Sequence, residues 1–89
     1  MNKKNIQKYL NILAEPNRLA ILKLLKKKER CACEIHPTLK LSQNLTAHHL
    51  KVLKDLKLLT NRRSGVKVLY SRNEKVIRDY QLKLNKTII

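Results

Sequence analysis

One glycine, two prolines, no phenylalanine and no tryptophan occur among 89 residues. With so little glycine there is no phosphate-cradling loop, and no nucleophile with a matching base stands out, so the composition speaks against an enzyme. Three tyrosines are the whole aromatic complement. Leu, Ile and Val must therefore fill the core, and the stacking pairs on which RNA-binding modules rely are missing. No apolar run approaches the roughly 20 residues of a membrane span, and Met1-Asn2-Lys3-Lys4-Asn5 lacks the apolar core of a signal peptide. The expected location is the cytoplasm, away from any membrane, where thiols are kept reduced. On that ground Cys31 and Cys33 are expected to be ligands or redox sensors rather than a structural disulfide.

Acidic residues are the other scarcity. Six Asp and Glu stand against 21 Lys and Arg, a formal charge of +15. Such a field attracts polyanions, either nucleic acid or an anionic membrane surface. A Lys-rich surface that merely keeps the chain in solution is the plainer account, but the excess is large for the length. Residues 1–89 are expected to form one domain, small enough that pairing with a second copy would add materially to its buried surface.

Ile6, Tyr9, Leu10 and Leu13 recur at helical spacing. Glu15-Pro16 reads as a stop and a new start, with Pro16 opening a second helix through Leu19, Leu22 and Leu25 to Lys26-Lys27-Lys28. A helix over residues 33–39 must be short or irregular, because Pro37 is tolerated only in a first turn. Ser42 caps the strongest helix, which extends to about Leu59. Residues 60–63 and 66–70 are strand-like and flank Ser64-Gly65, where a tight hairpin needs the positive φ that glycine supplies. Asn73 can cap a last helix with Val76, Ile77, Tyr80 and Leu84 on one side. The expected class is mainly α with a small β-hairpin, in the order helix-helix-helix-helix-strand-strand-helix of a winged helix-turn-helix. The apolar stripes of the first and last helices (Ile6, Tyr9, Leu13, Val76, Ile77, Tyr80) are expected to meet across a two-fold axis in a homodimer.

A helical projection from Ser42 puts Leu45, Leu53 and Leu56 on one side, with Leu50 and Val52 at its edges. His49 points the same way and reads as a packed, hydrogen-bonded histidine. Opposite lie Gln43, Asn44, Ala47, Lys51 and Lys54, with His48 on the flank as a DNA contact or a bystander. That face suits a major groove, since Gln and Asn pair bidentately with adenine and Ala touches a thymine methyl group. An ordinary solvated face carries the same residue types. Arg62, Arg63, Lys67 and Arg72 bracket the turn and fit a wing laid along phosphates; charges on an exposed edge also block aggregation.

The runs Leu13-Ala14-Glu15-Pro16-Asn17-Arg18-Leu19-Ala20-Ile21-Leu22, Cys31-Ala32-Cys33-Glu34-Ile35, Leu41-Ser42-Gln43-Asn44-Leu45 and His48-His49-Leu50-Lys51-Val52-Leu53, then Arg62-Arg63-Ser64-Gly65 and Val68-Leu69-Tyr70, resemble the ArsR/SmtB family of metal-responsive repressors. The resemblance covers roughly residues 10 to 75 and agrees with the independent reading in order and spacing. It implies a dimer built from the first and last helices, operator binding without metal, and release when metal binds. Carried over, recognition contacts fall on Ser42, Gln43, Asn44 and His48. Ala47 replaces a usual serine, Thr46 a usual apolar residue, and Lys40 a small residue often found in the turn. If that turn is left-handed, Lys40 costs about 1 kcal/mol.

Two thiolates at Cys31 and Cys33 favour a soft ion: As(III), Sb(III), Cd(II), Pb(II), Hg(II), Cu(I) or Zn(II). Residues two apart in a helix diverge, so one ion held by both sulfurs requires an unwound helix start. His36, three residues after Cys33 on the same helical face, is the local candidate for a third ligand. The family's alternative site on the last helix is not expected here, because residues 73–89 contain no His and only Glu74 and Asp79. Two further readings stay open for the thiols, a redox sensor and a pair of merely packed side chains on a ligand-independent DNA-binding regulator. A small basic RNA-binding protein is the less favoured alternative.

Overall fold

Glu15 ends one helix and starts the next. Its backbone is extended (φ −87°, ψ 117°), its carboxylate accepts from the Arg18 amide at 3.1 Å, and Pro16 occupies the first turn, where a missing N–H costs nothing. The computed structural model describes residues 3–88; Met1, Asn2 and Ile89 lie outside the described residues. Helix α1 (Lys3–Leu13) leads into α2 (Pro16–Leu25), a two-residue strand β1 (Arg30–Cys31), α3 (Ala32–Thr38) and α4 (Gln43–Asp55). The hairpin β2 (Leu59–Ser64) and β3 (Lys67–Arg72) follows, then α5 (Glu74–Ile88). This is the expected winged helix-turn-helix order with one addition. The sheet has three strands in the order β1-β3-β2, all antiparallel, with Cys31 opposite Leu69 and Arg62 also opposite Leu69. Periodicity carries no sign of β1, because two residues have no period and their pairing is long-range.

Ile21, Ile35, Leu50, Leu53, Leu58 and Leu59 are fully buried and bring α2, α3, α4 and the root of the wing into one core. Gly65 turns the hairpin at φ +63°, with Ser64 paired to Lys67 across it. Asn73 caps α5, its Oδ1 accepting from the Val76 amide at 3.3 Å. Ile6, Tyr9 and Tyr80 are buried within this one chain, and the Tyr9 and Tyr80 rings stack at 4.5 Å. They are therefore not the residues left over for a second copy, contrary to expectation. One small domain does bury them, because α1 and α5 pack on each other. Leu10, Leu82 and Ile88 are the exposed apolar residues of these helices.

Helix α4 stops at Asp55 rather than near Leu59. Lys57 takes φ 64°, its amide donates to Lys54 O at 2.8 Å, and the Leu58 amide reaches back to Leu53 O at 3.0 Å. This is a Schellman closure, sealed by Leu53 and Leu58, both wholly buried. Helix α3 ends the same way: Lys40 has φ 57°, and the Leu41 amide donates to His36 O at 2.9 Å. Pro37 cannot donate to the carbonyl one turn back, and α3 accordingly closes after seven residues. Both closures place a lysine where glycine is strain-free. Lys40→Gly and Lys57→Gly are each expected to stabilise the fold by about 0.5–1 kcal/mol, raising the melting temperature by roughly 3–6 °C each in calorimetry.

Candidate nucleic-acid interface and thiol cluster

The Ser42 hydroxyl accepts from the Leu45 amide at 3.0 Å and so starts α4 at the solvent side of the core. Beyond it Gln43, Asn44, Ala47, His48 and Lys51 are all exposed on one helix. The buried stripe runs through Thr46, His49, Leu50 and Leu53 to Leu56. That stripe leaves Leu45 at its margin, 39% exposed, where the projection had it facing inward. Thr46 is the core position that the projection misses; a polar residue type gave it no apolar signal.

Two basic residues assigned to DNA already hold acids. Lys51 Nζ lies 3.0 Å from Asp55 Oδ2, one turn along α4. Arg62 grips Glu29 with both Nε, at 3.0 Å, and Nη2. This pairing holds the Glu29 carboxyl below the usual carboxylate range and raises Arg62. It also ties the segment before β1 to the wing. Arg63 and Lys67 are exposed on either side of the turn, and Val66 at its tip is almost wholly so. Arg72 is not a wing residue of the same kind: its guanidinium donates to Leu22 O at 3.2 Å and to Glu74 at 3.0 Å, and its side chain is mostly buried.

Cys31 is extended (φ −82°, ψ 161°) and caps α3, whereas Cys33 lies in the first helical turn. That is the unwound start a shared site requires, and it brings the side chains together. The two sulfurs lie within bonding reach of each other, with Cα atoms 5.1 Å apart. A bridge formed there, at a sequence separation of 2, would remove little chain entropy and be a weak staple. Cys31 is buried and Cys33 exposed. The possible ligand atoms of Cys31, Cys33 and Glu34 all lie within 4.8 Å of one another. His36 does not join that group. Its place is in a depression lined by Ala32, Cys33, His36, Gln43, Asn44 and Ala47. A second depression joins Cys31 and Cys33 to Val66, Lys67, Val68 and Tyr70 of the wing. Glu34 follows the second cysteine directly, and that adjacency is the one sequence signal that could have found it.

Among the described residues no helix is long and apolar enough to cross a membrane. A family profile described as "Bacterial regulatory protein, arsR family" matches residues 15–61. An arsenical resistance operon repressor of Staphylococcus xylosus is 39% identical over 80 residues, which is 90% of this chain and 76% of that protein. Its counterpart in Staphylococcus aureus is 38% identical over 85 residues, covering 96% and 82%. Among solved structures, a homodimeric winged helix-turn-helix DNA-binding domain from Mycobacterium bovis superposes with a TM-score of 0.78 at 27% identity, over 94% of this chain and 79% of that one.

Proposed function

The chain belongs to the arsR family of bacterial regulatory proteins and has their DNA-binding winged helix-turn-helix fold; from that premise we propose that it is a homodimeric, cytoplasmic transcriptional repressor whose hold on a double-stranded operator falls when a soft metal or metalloid ion takes the thiolates of Cys31 and Cys33. Residues 1–89 act as one DNA-binding unit in this reading. Ser42, Gln43, Asn44, Ala47 and His48 face the groove, and Lys51, Arg62, Arg63 and Lys67 face phosphates. The observation that carries it is the shared depression: Cys33 and His36 line the same hollow as Gln43, Asn44 and Ala47, so thiol chemistry lies against the side chains that would read bases.

Two sulfurs with a neighbouring carboxylate suit As(III), Sb(III), Cd(II), Pb(II), Zn(II) or Cu(I), and the arsenical resistance repressors among the relatives favour a metalloid. Cys31 and Cys33 would hold the ion as thiolates, with Glu34 ahead of His36 for the third position. A bound ion supplies a fixed separation between the two sulfurs. Cys31 is hydrogen-bonded into the sheet through β3, while Cys33 rides on α3, which packs on α4. Whatever sets their separation therefore sets the wing against the recognition helix. Coupling of this kind is typically about 1–3 kcal/mol, or roughly 5- to 150-fold in operator affinity.

Operator binding during titration with As(III) or Cd(II) tests the reading. The reduced wild type is expected to release the duplex at micromolar ion, and Mg(II) and Ca(II) to do nothing. Cys31→Ser/Cys33→Ser should bind the operator normally and ignore the ion, Glu34→Gln should respond more weakly, and His36→Ala should respond as wild type. Release by the double serine variant would make the cysteines structural. The closeness of the two sulfurs favours a second reading, a redox switch. There the two thiols give two electrons and two protons to a peroxide, which is reduced to water and an alcohol. Release under mild peroxide with loss of two hydrogens, and no ion uptake, would select it.

A further inference from the structure

A polar lock lies away from both the groove-facing helix surface and the thiols, at the joint between α1 and α2. His49, on α4, is 4% exposed. Its Nδ1 accepts a hydrogen bond from Arg18 Nε at 3.1 Å, across 31 positions of sequence. Its Nε2 stands 3.6 Å from Glu15 Oε2 and is buried without a hydrogen-bond partner among the described residues. These contacts fix the tautomer. A ring nitrogen that accepts from a guanidinium carries no proton, so the neutral ring keeps its proton on Nε2, turned toward the carboxylate. Glu15 also caps α2 through the Arg18 amide. One carboxylate, one guanidinium and one imidazole thus fasten the start of α2 to the middle of the recognition helix.

We propose that His49 is a positioning residue for DNA binding: as a neutral acceptor for Arg18 it fixes the rotation of α4 about its axis, and with it the aim of Gln43, Asn44 and Ala47. The packing of Leu50 and Leu53 is strong but non-directional, and by itself it leaves that rotation soft. A directional bond on the flank of the buried stripe does not. A proton on Nδ1 sets two donors face to face and expels Arg18, so the lock holds only while the ring is neutral. The titratable and charged groups facing the ring are Glu15 and Arg18 from the joint and His48 from the same helix, its ring centroid 5.5 Å away. Burial is the largest influence and disfavours the imidazolium, as do Arg18 and His48, while Glu15 favours it; the pKa lies below the ordinary 6.5. Because the released ring takes up a proton more readily than the locked one, the lock is at full strength above pH 6.5 and weakens as pH falls through the lowered value. None of this depends on the thiol chemistry.

The test uses the full chain and a duplex operator that the protein itself selects from a random pool. Affinity is measured from about pH 8 to pH 5 at fixed ionic strength. His49→Gln keeps an acceptor for Arg18 and does not titrate. It is expected to bind within about threefold of wild type at the alkaline end, and wild type to lose about tenfold relative to it at the acid end. His49→Leu fills the space without an acceptor and should lose about tenfold of the preference for operator over random duplex at every pH. His48→Gln should retain the acid loss. An acid loss in His49→Gln equal to that of wild type would overturn the proposal, as would an undiminished preference in a folded His49→Leu. If circular dichroism finds His49→Leu unfolded, the comparison of His49→Gln with wild type decides alone.

Discussion

Operator affinity is expected to fall about a thousandfold or more between about 50 and 200 mM salt, because the proposed dimer, reaching roughly 6–10 phosphates, would release as many condensed counterions. The +15 charge of each chain supplies the field, but its basic residues are not equivalent. Arg62 and Lys51 already face Glu29 and Asp55, so moving either onto a phosphate leaves an acid behind. Arg63 and Lys67 flank the exposed turn and carry no such offset among the described residues. Arg63→Ala should therefore flatten the salt slope by about 1 per protomer and weaken operator and random duplex alike, whereas Arg62→Ala should change the slope less. Gln43→Ala should leave the slope alone and lower the preference for operator by about 1–3 kcal/mol. Fluorescence anisotropy across a salt series reads both quantities. A slope shallower than about −2 would mean that the basic surface does not lie on phosphates.

The features that periodicity and local chemistry control were open to reading from the chain alone: the Glu15-Pro16 joint, the Ser42 and Asn73 caps, the Gly65 turn and the packed His49. What was hidden is long-range pairing. Glu29 and Arg62 are 33 positions apart, and Arg18 and His49 are 31 apart; neither spacing repeats or alternates. Strand β1 is invisible for the same reason, which is why Cys31 could be expected near an unwound helix start but not in a sheet shared with the wing. The end of α4 is concealed in the sequence because Leu56, Leu58 and Leu59 extend the apolar pattern past the helix, and the residue that closes it is Lys57 instead of the glycine that would announce the stop. The thiol cluster was legible as Cys31 and Cys33. The nearness of Glu34 to the two sulfurs was not, since helical spacing points to His36 and only the geometry of the first turn brings Glu34 in.

Removing the Tyr80 ring is expected to cost the fold about 3–5 kcal/mol, a large part of the roughly 5–15 kcal/mol available to a domain. Tyr80 and Tyr9 are 5% and 3% exposed, and their rings lie parallel within 3°. With three tyrosines as the only aromatics, no other ring can fill the gap. Burial pushes both hydroxyls above the ordinary tyrosine pKa, so the pair stays neutral and its contribution is one of packing. Tyr80→Ala should leave the chain largely unfolded at 37 °C by circular dichroism, Tyr80→Phe should keep most of the stability, and a Tyr9/Tyr80 double-mutant cycle should return a coupling of about 1 kcal/mol. The same helices carry Leu10, Leu82 and Ile88 on their outer faces, 44%, 54% and 71% exposed, and the proposed dimer must cover them. Leu82→Glu tests that surface without touching the stack. It should sediment as a folded monomer at micromolar concentration and bind an operator far more weakly, because two half-sites are no longer joined. A Leu82→Glu protein that remained a dimer would move the subunit interface elsewhere, and an unperturbed Tyr80→Ala would mean that α1 and α5 do not depend on each other within the chain.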